Sequence, residues 1–231
     1  MLILGLGDRL TQVIRAREGG EDTFERLAHQ WNDLRFRHFG GIFHLEELCG
    51  LLPSEWKVLD METKTGYLLP TLSRQFHQVL AVDPSTAMLS LARQRAEREG
   101  LDNVEFRTGR LEAIPATDES VDAVLALLVL RHSLDPDTSL AEIARVLKRG
   151  GRALIVDLEL HDLTSFREAM HEIVPGIDPK TLASQMARAE LDNVNWRRLI
   201  SRGRDSHLGA DLPAPELFVM TAEKPLSTGI H

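Results

Sequence analysis

From Trp56 onward, short apolar segments alternate with amphipathic segments, and this alternation is what most constrains the fold. The segment Thr86–Glu99 repeats its apolar residues at three- and four-residue steps, which predicts a helix. The segment Val121–Leu128 is largely apolar on both faces, which predicts a buried strand. Strands of that kind, separated by helices, indicate a parallel sheet that is covered on both sides. The chain is therefore predicted to form a doubly wound α/β domain with a mostly parallel sheet.

This domain is predicted to occupy residues 53–231. Gly150 and Gly151 are expected to end its third helix. The last two strands are expected to close one edge of the sheet. The predicted strands are 57–61, 78–82, 104–106, 121–128, 153–158, 194–200 and 217–221. The predicted helices are 67–74, 86–99 and 137–147, with one or two more between 161 and 189.

Residues 1–52 are predicted to form a separate N-terminal helical segment. Phe24, Leu27, Trp31 and Leu34 recur at helical spacing with charged residues between them. The glycines at 40 and 41 are expected to end this helix, and 42–51 predicts a shorter second helix.

Composition excludes several classes of partner. Lys plus Arg number 27 and Asp plus Glu 35, so the net charge is −8 and a nucleic-acid partner is not expected. The longest apolar run, Ala123–Leu130, falls far short of the roughly 20 residues that a membrane span needs. Cys49 is the single cysteine, and the histidines do not fall at metal-ligand spacing, so neither a disulfide nor a metal site is expected. We expect a cytoplasmic protein.

Asp83, which follows the second predicted strand, is the first candidate binding residue. Ligands of doubly wound sheets bind beyond the carboxyl ends of the strands. An acidic residue at this position can accept both hydroxyls of a ribose. The alternative is that Asp83 caps the helix that begins near Thr86.

Two long segments carry a family resemblance. "VLDMETKTGYLLPTLSRQFHQVLAVDPSTAMLSLARQRAEREGLDNVEFRTGRLEAIP" and "SLAEIARVLKRGGRALIVD" closely resemble class I S-adenosylmethionine-dependent methyltransferases of the small-molecule (type 11) group. Within that group, "LAHQWNDLRFRHFGGIFHLEELCGLLP", "DLELHD" and "PAPELFVMTAEKP" resemble the methyltransferase half of bacterial proteins that fuse an arsenic-repressor-type winged helix to a methyltransferase.

The resemblance implies S-adenosylmethionine as cofactor and assigns six binding positions. These positions are Asp60, Gly66, Asp83, Met88, Leu111 and Leu127. Asp60 and Gly66 would belong to the loop that holds the methionine part of the cofactor, and Asp83 would hold the ribose. The next two would flank the adenine, and the alternative for Met88 is core packing. The last would lie under the cofactor. In the family, the N-terminal helical segment covers the pocket and would choose the substrate or partner. The residues assign no catalytic group.

The first loop departs from the family pattern. The family reads Leu-Asp-x-Gly-x-Gly-Thr-Gly, whereas this chain reads Leu-Asp-Met-Glu-Thr-Lys-Thr-Gly over 59–66. Glycine allows positive φ and close approach of a ligand, and both are restricted at Glu62 and Lys64. By resemblance, Glu62 would lie near the cofactor carboxylate and Lys64 near its sulfonium. Alternatively, Glu62 and Lys64 pair with each other and fill the site.

Further departures concern the same predicted pocket. Arg110 stands where the family has an acidic residue at the adenine, and Arg131-His132 stands where a His-His pair is common. The segment His171–Ile177 lacks the tryptophan of the fusion subgroup. The leading hypothesis is a methyltransferase-family protein with a weakened or repurposed cofactor site that acts on a small molecule or a protein partner. The alternatives are an active small-molecule methyltransferase and a non-redox nucleotide-binding module.

Overall fold

The computed structural model describes residues 49–164, 174–199 and 215–226. The chain divides into two compact units, 1–51 and 52–231. Most of the first unit, including the predicted helix around Phe24–Leu34, lies outside the described residues. The same is true of 165–173 and 200–214 in the second unit.

A seven-stranded sheet forms the second unit, in the order β3-β2-β1-β4-β5-β7-β6. Five neighbouring strands are parallel, and β7 runs antiparallel to both β5 and β6. This confirms the doubly wound, mostly parallel α/β fold. The strands are β1 (Lys57–Met61), β2 (Gln78–Asp83), β3 (Val104–Thr108), β4 (Val121–Leu127), β5 (Leu147–Leu158), β6 (Asp192–Leu199) and β7 (Leu217–Glu223). The helices are α1 (Leu69–Gln75), α2 (Thr86–Glu99), α3 (Pro136–Val146) and α4 (Pro179–Arg188), with a 3-10 turn at Leu130–His132.

The sheet is covered on both faces because alternate residues of its strands point to opposite sides. On one face, Val58 and Val79 pack with α1 and α2. On the other, Leu59 and Leu80 belong to a larger cluster with α3 and α4. Among the described residues, no helix has the length and apolar character needed to cross a membrane.

The predicted role of the Gly150-Gly151 pair was wrong. Helix α3 ends at Val146, and β5 begins directly at Leu147. Leu147 pairs with Val121, and pairing resumes only between Arg152 and Ala123, so residues 148–151 bulge out of the strand. Gly150 takes φ +77° within this bulge, and its N–H donates to the Lys224 carbonyl at 2.8 Å. The glycines therefore serve a bulge that joins β5 to the end of β7.

The strand order reverses at β1, and doubly wound sheets have a crevice at the carboxyl edge beside such a reversal. The chain passes from β1 outward to β2 and β3, and then returns to β4 on the other side of β1. The loops that follow β1 and β4 therefore leave the sheet in opposite directions. In doubly wound sheets, ligands bind at this point of reversal.

Asn103, which directly precedes β3, forms hydrogen bonds with the end of α1. Its side-chain amide donates to the carbonyl oxygens of Ser73 at 2.9 Å and Phe76 at 2.8 Å, and its Oδ1 accepts from the Ser73 hydroxyl. We expect Asn103→Ala to lower the free energy of unfolding by about 1–3 kcal/mol, because these carbonyl groups lose their donor. Urea denaturation measures this. The neighbouring exposed Asp102→Ala is the control, and an equal loss in both variants would contradict the assignment.

Candidate functional site

The loop after β1 keeps the backbone shape that glycine usually provides. Glu62 takes φ 52° and Lys64 φ 53°, both in the left-handed region. The Thr63 N–H donates to the Val82 carbonyl at 3.0 Å, which holds the loop against β2. A non-glycine residue in this region costs roughly 1–2 kcal/mol. The departure from the family pattern therefore lies in the two side chains, while the turn itself is retained.

Gly66 ends this loop in close contact with two helices. It has φ +74°, and a Cβ here would come within 2.8 Å of Leu69 Cδ1 and 3.2 Å of Ala92 Cβ. Its carbonyl accepts a hydrogen bond from Arg95 Nη1 at 3.3 Å. Glycine at this position lets the loop lie directly on α1 and α2.

Asp83 joins the β1 loop to the start of α2. Its carboxylate accepts the Lys64 N–H at 2.8 Å through Oδ2 and the Ser85 N–H at 2.8 Å through Oδ1. Ser85, rather than Asp83, caps α2, since its hydroxyl accepts the Met88 N–H at 3.3 Å. The helix-cap alternative for Asp83 is therefore wrong. A carboxylate has about four acceptor positions, so capacity remains for ribose hydroxyls.

Asp60 is a buried carboxyl beneath the loop. It lies at the end of β1 and is 4% exposed. Burial raises its pKa to about 6, the Thr63 hydroxyl and the Lys64 ammonium oppose this, and the charge of Asp83 adds to it. The group therefore holds its proton into the mildly acidic range.

Glu62 is a half-buried carboxylate within a mixed group of charges. Burial raises its pKa, and the negative charges of Asp83 and Glu112 raise it further. The positive charges of Lys64 and Arg131 act in the opposite direction. All five side chains come from the carboxyl edge of the sheet. The structure therefore brings the two loop residues that differ from the family pattern, Glu62 and Lys64, together with Asp83.

Lys64 bridges the crevice. Its ammonium Nζ donates to the carbonyl oxygen of Leu128, beyond the end of β4, at 3.5 Å. Leu128 has φ 58°, and its N–H donates to the Val156 carbonyl at 2.7 Å. The lysine thus crosses from the β1 loop to the β4 loop over the point where the strand order reverses.

Arg131 and Asp157 form a buried ion pair on the β4 and β5 side of the crevice. Arg131 Nη1 lies 2.9 Å from Asp157 Oδ1, and the two residues are 8% and 0% exposed. The carboxylate also accepts backbone N–H groups from Arg131 at 3.2 Å and Leu158 at 2.8 Å. Sequence reasoning noted Arg131 but missed its partner. A lone carboxylate within an apolar strand was the available signal.

The sequence analysis assigned no role to Glu112. It accepts the Ser133 hydroxyl at 2.8 Å and the Leu134 N–H at 2.9 Å. Burial raises its pKa, but these hydrogen bonds outweigh burial and the pKa is lowered overall. The contact joins two loops that are distant in sequence, so no local pattern indicated it.

The three apolar residues assigned by resemblance occupy different environments. Met88 lies in the first turn of α2 and is 39% exposed, so it is not buried in the core. Leu111 is 2% exposed and belongs to the larger core cluster. Leu127 is half-buried at the end of β4. Their contacts with a cofactor stay predictions. Within 49–164, 174–199 and 215–226, no group of three metal-ligating side chains occurs.

Known proteins share this sequence pattern. A family model for a methyltransferase domain matches residues 59–155. The uncharacterized methyltransferase YcgJ of Bacillus subtilis is 33% identical over 137 residues, which cover 59% of this chain and 54% of the relative. The chain spans about half the length of the curated relatives it matches. The finer resemblance to the arsenic-repressor fusions stays a prediction.

Solved structures share the fold. The [4+2]-cyclase SpnF matches with a TM-score of 0.66 and 20% identity, over 80% of this chain and 82% of that chain. Phosphoethanolamine N-methyltransferase 2 of Haemonchus contortus, solved in complex with S-adenosyl-L-methionine, matches with a TM-score of 0.65 and 19% identity, over 80% of this chain and 53% of that chain. At these identities the likeness shows the fold alone.

The buried ion pair predicts an asymmetric response to mutation. Asp157→Ala leaves the buried Arg131 guanidinium without this carboxylate, and we expect a loss of about 3–5 kcal/mol in the free energy of unfolding. Arg131→Met should lower the free energy of unfolding by about 1–2 kcal/mol less than Asp157→Ala does, because backbone N–H groups still bind the Asp157 carboxylate. Urea denaturation of both variants measures the difference. An Arg131→Met loss as large as that of Asp157→Ala would contradict this account.

The raised pKa of Asp60 leads us to expect a pH-dependent difference in stability between Asp60→Asn and the wild type. Its carboxyl ionises near its ordinary value of 3.8 in the unfolded chain but at about 6 in the folded one. Between these values the folded state binds more protons, so the contribution of Asp60 to stability falls as pH rises. The free energy of unfolding of Asp60→Asn, relative to that of the wild type, should therefore increase by on the order of 3 kcal/mol in total as pH rises from about 4 to about 7. Denaturation curves across this range measure the gain.

The exposed Asp102→Asn variant should show no such trend. A stability difference between Asp60→Asn and the wild type that stays constant with pH would exclude the buried protonated carboxyl.

Proposed function

The chain belongs to the class I S-adenosylmethionine-dependent methyltransferase family, and on that premise we propose that it retains the scaffold with a weakened or repurposed cofactor site. One observation carries the proposal. Glu62 and Lys64 keep the positive φ of a glycine loop while placing two long charged side chains beside the crevice. S-adenosylmethionine is the cofactor that the family implies.

The ribose end of the crevice fits this cofactor. Asp83 is buried at the carboxyl end of β2, and two backbone N–H groups orient its carboxylate. Remaining lone pairs would accept ribose hydroxyls. The nucleoside half of the cofactor therefore has a suitable acceptor.

The methionine end fits poorly. The side chain of Lys64 crosses the crevice to the Leu128 carbonyl, so a ligand lying there must displace it. By the family resemblance, Glu62 would lie near the carboxylate of the cofactor. Like charges a few ångströms apart in a partly desolvated site cost on the order of 1–4 kcal/mol. Such a cost corresponds to a roughly ten- to thousandfold loss of affinity.

An active small-molecule methyltransferase is the second candidate. The retained loop backbone and the oriented Asp83 carboxylate favour it, since neither requires rebuilding of the scaffold. Methyl transfer to a strong nucleophile depends mainly on positioning, so it needs no assigned base. The methyl acceptor in this case is a small molecule. A cytoplasmic location, supported by the single cysteine, and a small-molecule or protein partner are part of the proposal.

Restoring both glycines tests the proposal. In Glu62→Gly/Lys64→Gly the loop can keep its φ values, and both charged side chains are removed. We expect the affinity for S-adenosylmethionine to rise roughly ten- to a thousandfold, as measured by calorimetry.

Thr65→Gly is the matched control, because it adds a glycine to the same loop at an exposed position without positive φ. Its affinity should equal that of the wild type. A wild-type dissociation constant in the low micromolar range, with little gain in the double variant, favours the active enzyme instead.

A further inference from the structure

We propose that the crevice between β1 and β4 selects nucleosides whose 5′ substituent lacks a carboxylate, and that Glu62 is the specificity-determining residue. The inference rests on the proposed function, because it concerns the same crevice. The proposed function expects weaker binding of S-adenosylmethionine, and the present inference attributes that weakness to the carboxylate of the ligand. The ligand class is an adenine-type nucleoside with a neutral or cationic 5′ substituent.

The fold sets the direction in which such a ligand lies. An acidic residue at the end of β2 receives the ribose hydroxyls in doubly wound nucleotide sites. Asp83 occupies that position with an oriented carboxylate. We infer that the 5′ substituent of a ribose held there would extend along the loop after β1, toward β4, because β1 lies between β2 and β4. It therefore passes Glu62 and Lys64.

Three carboxylates act on this region in addition to the buried Asp60. Glu62 experiences the negative charges of both Asp83 and Glu112. Hydrogen bonds from Ser133 and Leu134 lower the pKa of Glu112, and the Lys64 and Ser85 N–H groups orient Asp83.

The two nearby cations are already engaged. Arg131 forms its buried ion pair with Asp157 at 2.9 Å. The Lys64 ammonium donates to the Leu128 carbonyl. An anionic 5′ substituent would have to draw one of them away from its present contact to offset Glu62. A cationic or neutral substituent also has to displace the Lys64 side chain, but it needs no counter-charge from either cation.

The charge arrangement is thus the reverse of a phosphate-binding loop. Glycine-rich loops present backbone N–H groups to an anion, with no side chain between them. Here one loop N–H, that of Lys64, is occupied by Asp83, and Glu62 replaces a glycine. Repulsion between Glu62 and a ligand carboxylate is expected to reduce affinity on the order of tenfold or more.

Calorimetry with three probes tests the selectivity at mildly alkaline pH, which favours the ionised form of Glu62. The probes are S-adenosylmethionine, decarboxylated S-adenosylmethionine and 5′-deoxy-5′-methylthioadenosine. We expect the decarboxylated compound to bind on the order of tenfold tighter than S-adenosylmethionine, because only the carboxylate distinguishes the two. The thioether nucleoside measures binding without a charged 5′ substituent.

Glu62→Gln assigns the selectivity to one side chain. It removes the charge and keeps the size, so the affinity for S-adenosylmethionine should rise and the tenfold difference should largely disappear. The affinity for the thioether nucleoside should not change.

Glu97→Gln is the matched control, because it removes the same unit charge from an exposed position of α2, about 16 Å along the helix from its first residue. It should leave the preference intact. Loss of the preference in this variant too would attribute the effect to overall net charge and overturn the assignment to Glu62.

The outcomes separate this inference from the proposed function. Equal affinity of the wild type for S-adenosylmethionine and its decarboxylated form overturns the selectivity, even when both bind weakly. A preference that survives Glu62→Gln overturns the role of Glu62. Low micromolar binding of S-adenosylmethionine, with still tighter binding of the decarboxylated form, supports the selectivity and overturns the weakened site.

Discussion

Burial of the central parallel strands on both faces is the constraint on which the rest of the structure depends. β1 and β2 are buried over almost their whole length, and apolar side chains fill the space on both faces of these strands. Charged groups are therefore concentrated where the strands end. Because parallel strands end at one edge, residues far apart in sequence such as Asp83, Glu112 and Asp157 are collected around one crevice. The position of the site is a consequence of packing.

Within the crevice, backbone hydrogen bonds decide which charges are fixed. Asp83, Glu112 and Asp157 each accept backbone N–H groups, which hold their carboxylates in place. Glu62 and Lys64 differ, because their backbone is held in the left-handed region and the Lys64 side chain reaches over the crevice. The oriented carboxylate of Asp83 and the two side chains that replace glycine are therefore separate parts of the site. This division is the physical basis of the altered specificity that we propose.

Sequence patterns predicted most of the elements because apolar periodicity follows directly from burial. Helix α2 matches its predicted bounds, and β1 matches its own. The Gly150-Gly151 pair misled, since glycine allows positive φ in a helix stop and in a bulge alike, and only the pairing of Leu147 with Val121 distinguishes them. Similarly, Asp83 and Ser85 are both good helix caps by residue type. The actual cap depends on which side chain the backbone turns toward Met88.

The sequence by itself determined the fold class, the residues that follow each strand and the unusual loop. Each of these depends on local residue type and spacing. The tertiary structure decided how the charges pair: Arg131 with Asp157, the Lys64 ammonium with the Leu128 carbonyl, and Glu112 with Ser133. These contacts join residues from different strand ends. Their partners are set by strand order and register, which no local pattern encodes.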